Sequence, residues 1–152
     1  MSRHYWIIAL ILIVGGGALI WRSVTPGQSP AEYSMTPADT SGIAEGAALV
    51  EVRLPGELSP QAQIGERAFE AKCSTCHGTS ASGRAGKGPP LVHRIYEPNH
   101  HSDMAFVLAA KNGVRSHHWT FGNMPPVDGL TDGEVKAIAT YVRELQKENG
   151  IH

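Results

Sequence analysis

Apolar residues follow three different patterns along this chain of 152 residues. The first is a continuous run at residues 5–21, free of charge and bracketed by Arg3 and Arg22. As a helix its 17 residues would span about 25 Å, the short end of what crosses a bilayer. Tyr5, Trp6 and Trp21 at its ends suit the headgroup level. Two readings are open: an uncleaved signal anchor, or a secretory signal whose apolar core is followed by small residues at Gly16 and Ala18. Continuation of apolar residues through Leu19, Ile20 and Trp21 favours the anchor, and both readings export the remainder of the chain. One basic residue on each flank leaves the charge signal for orientation weak.

The second pattern is an absence of pattern. From Ser23 to about Gly46, Pro26, Gly27, Pro30, Pro37 and Gly42 punctuate a weakly hydrophobic stretch with the composition of a flexible tether. Leu49, Val50 and Val52 suggest an extended piece lying on a domain and ending before Pro55-Gly56. The organisation expected is therefore an anchor at 1–22, a linker at 23–56 and a domain at 57–152.

The third pattern has helical periodicity. Ser59 followed by Pro60 is a cap with proline at the first helical position, opening a helix that runs through Lys72. Gly65 and Phe69 share one face, four apart. Glycine inside a helix costs about 1 kcal/mol relative to alanine, so close approach of another helix is the expected reason for Gly65. Ser102 caps a second helix at 103–112, stopped by Gly113. On it Met104, Val107 and Leu108 line one side and Phe106 with Ala110 another, predicting burial on more than one face. Thr131 and Glu134 form a capping box for a last helix reaching about Lys147. Its stripe is Val135, Ile138, Ala139, Val142 and Leu145, with Tyr141 beside it. The fold class expected is all-α, and no internal repeat is visible.

Composition narrows the function. A net charge of −1, with 8 histidines uncounted, gives no reason to expect nucleic acid. Charge is nevertheless uneven: between Lys72 and Arg94 the basic residues Lys72, Arg84, Lys87 and Arg94 meet no acidic one. Such a rim would steer an acidic partner at low salt. The bland reading is a solvated loop.

Only two cysteines are present, both in Cys73-Ser74-Thr75-Cys76-His77. C-x-x-C-H is the attachment signature of c-type haem, in which both thiols become thioethers to the porphyrin edge and the adjacent histidine ligates iron. Three-residue spacing on a helical turn lets both thiols reach one macrocycle while the next side chain points at the metal. Other readings fit less well. A thioredoxin-like pair belongs with a βαβ pattern, whereas this motif closes a helix. A structural zinc site wants four ligands, and histidines would have to complete it. One covalent haem c would also staple a domain too small to rely on its core alone.

Iron held by one histidine needs a second axial ligand or stays open. Met1 precedes the apolar run, Met35 lies in the tether, and Met104 falls on a helix, where methionine is usually core filler. Met124 stands in a loop and is followed by Pro125-Pro126, which stiffen the backbone carrying it. A thioether favours reduced iron and raises the potential relative to a histidine pair.

Gly65-x-x-x-Phe69-x-x-x-Cys73-x-x-Cys76-His77, then Gly88-Pro89-Pro90-Leu91, then Asn123-Met124-Pro125-Pro126, then a C-terminal helix carrying Tyr141, resembles a class I monohaem cytochrome c of bacteria from Ser59 to Glu148. The resemblance implies three to four helices around the haem, with the first and last crossing near Gly65 and Tyr141. It implies that the Pro89 carbonyl accepts a hydrogen bond from the His77 ring, and that haem is attached on the outer face of the bacterial inner membrane, in the periplasm. Anchor and tether resemble those of members passing electrons from a quinol-oxidising complex to a terminal oxidase or reductase. The function expected is a membrane-anchored electron carrier, not an enzyme. Alternatives are a fixed subunit of a larger membrane complex, and a haem or copper sensor or metal-handling protein.

His93, His100, His101, His117 and His118 are dense for a carrier whose iron is already served, and the stretches holding them are not part of the generic pattern. Three readings stand: packing around the haem edge with hydrogen bonds to propionates or carbonyls, a second metal site such as copper bound by imidazoles, or a histidine replacing Met124 on the iron.

Overall fold

A computed structural model describes residues 35–152 of the protein. The expected anchor at 1–22 and most of the tether lie outside the described residues. Among those described, no helix is long and apolar enough to cross a membrane.

The fold is helical, as expected. Helix α1 spans Pro60–Lys72 and runs directly into a single turn, α2, at Ser74–His77; α3 spans Asp103–Asn112 and α4 Asp132–Glu148. Short 3-10 turns occupy Thr79–Ala81 and Arg94–Tyr96. Among the described residues the only β pairing is two isolated bridges, Arg84 with Gly88 and Val114 with Met124.

Each long helix starts where its cap predicts. The Ser59 hydroxyl accepts from the Ala62 amide at the head of α1 and donates to the Glu144 carboxylate at 2.6 Å, tying that cap to α4. Thr131 and Glu134 make the reciprocal box at the head of α4. Ser102 precedes α3 without a side-chain cap bond, and Gly113 ends it.

Helices α1 and α4 pack face to face. A Cβ on Gly65 would sit 1.9 Å from the Ala137 carbonyl oxygen, so only glycine permits the approach. One turn further along α1, the Phe69 and Tyr141 rings meet at 5.7 Å between centroids, tilted by 55°. The closest point is thus Gly65 against Ala137, with Tyr141 answering Phe69. Ala62, Ile138, Val142, Leu145 and Leu91 complete this core. Each large apolar side chain buried there contributes about 2 kcal/mol. A smaller cluster of Val107, Ala110 and Val135 joins α3 to α4.

Two expectations need correction. Helix α3 buries Val107 and Ala110, but Met104 and Leu108 are each 51% exposed, because α4 covers only one side of it. The linker is also shorter than 23–56. Gly46 donates to the Ala85 carbonyl, Leu49 and Val50 to that of Ser82, and Arg53 pairs reciprocally with the Asn149 side chain. These bonds seat residues 46–53 on the helical body as an extended strap, without making them a strand.

Candidate haem site

Helix α1 delivers the cysteine motif. The Cys73 amide still donates to the Phe69 carbonyl, and the His77 amide to that of Cys73 at 2.9 Å, so the pentapeptide is wound as one helical turn. Cys73 is half-buried, Cys76 exposed, and both thiols are free. Burial, with the Cys76 thiol and the Glu70 carboxylate nearby, pushes the Cys73 thiol up to about 11. It is protonated at neutral pH and a poor target for oxidation.

The His77 ring places Nδ1 2.9 Å from the Pro89 carbonyl oxygen. A carbonyl can only accept, so Nδ1 carries the proton and Nε2 keeps its lone pair for a metal. Burial holds this imidazole below the ordinary histidine value, and the Pro89 contact offsets that only in part. At neutral pH His77 is uncharged and in the tautomer a metal needs.

Met124 is held by its backbone. Its amide and that of Val114 exchange hydrogen bonds of 2.9 Å each, closing the neck of a loop at 114–124. The Val127 amide donates to the Ala110 carbonyl, so Pro125-Pro126 are pinned on both sides. Gly113, at φ 73°, makes room: a Cβ there would lie 2.6 Å from the Met124 oxygen.

His77 and Met124 both line one cavity of about 460 Å³, shared with Cys73, Phe69, Leu91 and Ile138. Trp119 also lines it, and its indole Nε1 is buried without a hydrogen-bond partner. The Tyr96 hydroxyl lies close to that indole but outside hydrogen-bond geometry, and burial raises its pKa well above that of an ordinary tyrosine. An orphaned buried donor costs about 1–3 kcal/mol, so this N–H wants an acceptor from whatever fills the cavity.

The model of the Cytochrome c family matches residues 62–146, from the first turn of α1 to the last turn of α4. The chain is a c-type cytochrome. Its cofactor is covalent haem c, and its family carries electrons between protein partners. No curated protein matches the chain. The cavity fits this cofactor: its walls are apolar, a free thiol and a neutral imidazole line it, and the Trp119 N–H suits an anionic acceptor such as a propionate.

The cytochrome also brings together residues whose role was not apparent in the sequence. Arg143 donates to the carbonyls of Tyr96 and His101, to the Gln146 amide oxygen at 2.6 Å and to the Asp103 carboxylate at 2.7 Å. Gln146, fully buried, donates to the carbonyls of Leu91 and Tyr96. The two clamp the loop at 91–103 against α4. Gln146 carried a readable signal, since it stands four residues after Val142, a core position of α4.

The basic rim is weaker than the sequence suggests. Arg94 pairs with Glu97 at 3.2 Å. Just before the strap, the Glu45 carboxylate lies against Gly86, within the basic segment. Counting charge within residues 72–94 missed both acids, which come from outside that segment.

Proposed function

We propose that this cytochrome is a single-haem electron carrier of class I. In this reading Cys73 and Cys76 would bind the porphyrin edge as thioethers, and His77 and Met124 would be the residues that hold its iron. The Pro89 carbonyl holds the His77 ring in its ligating tautomer and raises its basicity. When bound, the haem supplies a one-electron couple, and no substrate is transformed. What the chain contributes is rigidity: a proline-stiffened methionine, a hydrogen-bonded histidine and a largely apolar cavity keep the ligand set unchanged on oxidation.

The observation that carries this reading is that His77, its Nδ1 engaged by the Pro89 carbonyl, and Met124 line one cavity together with Cys73. Further parts of the proposal are the anchor at 1–22, the tether beyond it, and a haem domain working in the bacterial periplasm. Partners would be a quinol-oxidising complex as donor and a terminal oxidase or reductase as acceptor.

The test is a haem-stained denaturing gel with a reduced-minus-oxidised spectrum of the purified full chain. Covalent haem with sharp c-type bands, and no carbon monoxide binding to the reduced protein at neutral pH, is the expected result. A colourless band, or ready carbon monoxide binding, would overturn the assignment of a closed His77/Met124 pair.

A further inference from the structure

Neither attachment nor axial ligation uses the remaining histidines, and the fold gathers them. His100 and His101 come soon after the 3-10 turn at Arg94–Tyr96, while His117 and His118 stand in the loop at 114–124, so residues remote in sequence meet. The ligand nitrogens of His100, His101 and His118 all lie within 4.8 Å of one another. We propose that His100, His101 and His118 form a second metal site, distinct from the haem iron but at the wall of its cavity, which His101 and His118 also line, and that it takes one divalent cation of the zinc and copper class.

The donor chemistry selects that class. Three imidazoles without a carboxylate or thiolate suit Zn²⁺ and Cu²⁺ rather than the hard cations, which want oxygen. Distances agree. The Nε2 atoms of His100 and His118 are 3.1 Å apart, close to the separation of about 3.3 Å set by two nitrogens on a tetrahedral zinc at 2.0–2.1 Å. In the metal-free site that contact needs a proton on one of the two nitrogens, and a metal would replace it.

The support around the rings is that of a ligand set. The His101 Nδ1 donates to the Ile95 carbonyl at 2.6 Å, which leaves Nε2 as the free donor, the same arrangement His77 has with Pro89. Arg143 grips the His101 carbonyl and so fixes the backbone that carries the ring. Its own charge faces the site but is answered by Asp103. His117 stacks on His101 and His118 and closes one side, with centroids 5.9 and 4.4 Å away. A fourth ligand position remains for water, the usual arrangement of an open site.

The competing role for these histidines is to hold haem propionates, and the experiment separates the two. Haem-loaded full-length protein is incubated with Zn²⁺, desalted and analysed for metal, and Zn²⁺ affinity is measured by competition calorimetry. One zinc per iron is expected, with the haem spectrum unchanged. His100→Ala and His118→Ala should each weaken Zn²⁺ binding by about 100-fold, the upper end of what losing even a supporting residue costs a metal site. His152→Ala, at the far end of the chain, should leave it unaltered. Cu²⁺-loaded protein should show nitrogen couplings in its electron paramagnetic resonance spectrum, a readout of the unsubstituted chain should a variant fail to fold. Zinc at well under one per iron, or affinity unmoved by both substitutions, would overturn the site. The electron-carrier role would survive that outcome, since neither measurement involves the haem ligands.

Discussion

At the scale of single residues, the proposed ligands His77 and Met124 would set the electronic character of the iron, and each is held by backbone contacts. Met124→Ala should remove the thioether that favours ferrous iron. The potential should fall by on the order of 0.1 V, a modest part of the ~0.8 V that axial ligands command, and the reduced protein should now bind carbon monoxide. Redox titration and a carbon monoxide difference spectrum check both. His93 offers a cleaner acid–base case. Burial alone lowers its pKa, and its Nδ1 accepts from the Ile95 amide, so protonation costs a hydrogen bond as well as desolvation. Because the folded pKa lies below the unfolded value of about 6.5, the unfolded chain binds more protons in the window between them. Stability is therefore complete above pH 6.5 and falls as pH drops toward the folded pKa, by at most about 1.4 kcal/mol per pH unit from this group. His93→Asn keeps the acceptor and removes the titration, so urea midpoints at pH 7 and pH 5 should lie closer together in the variant than in the parent.

At the scale of elements, the helices were legible and their supports were not. Ser59-Pro60, the Thr131/Glu134 box and Gly113 mark boundaries through chemistry local to each position, and the structure places helix ends there. Gly65 could be read as a contact because an interior helical glycine is unfavourable unless something needs the space. Gly65→Ala should gain about 1 kcal/mol in helix propensity. It should lose more, about 3 kcal/mol or above, because a Cβ 1.9 Å from a carbonyl oxygen forces α1 and α4 apart. Chemical denaturation of the haem-loaded protein gives the net. The placement of Leu108 could not be foreseen, because periodicity tells which residues share a face and not what each face meets. That side chain lies at the cavity rather than against α4.

At the scale of the whole molecule, the haem attachment point and both candidate iron ligands were readable because motif and loop chemistry sit in contiguous sequence. The clamp by Arg143 and Gln146 was hidden, since its partners are backbone carbonyls 42 to 55 residues away that no side-chain pattern announces. Gln146→Leu should leave the buried Leu91 carbonyl without its side-chain donor and the Tyr96 carbonyl with Arg143 alone. A loss of about 2 kcal/mol is expected by denaturant titration, together with faster proteolysis within residues 91–103. The strap was legible in part: Leu49, Val50 and Val52 read as an extended piece lying on the domain, while its acceptors, the Ser82 and Ala85 carbonyls and the Asn149 side chain, lie too far along the chain to be read.

The paired amides of Val114 and Met124 make the intervening loop a ring closed at its base. Residues 116–122 carry the buried Trp119 and line the same cavity as Met124, so a docking protein or a cation among the imidazoles would press on the wall of the haem pocket itself, against a loop whose two ends are already tied together.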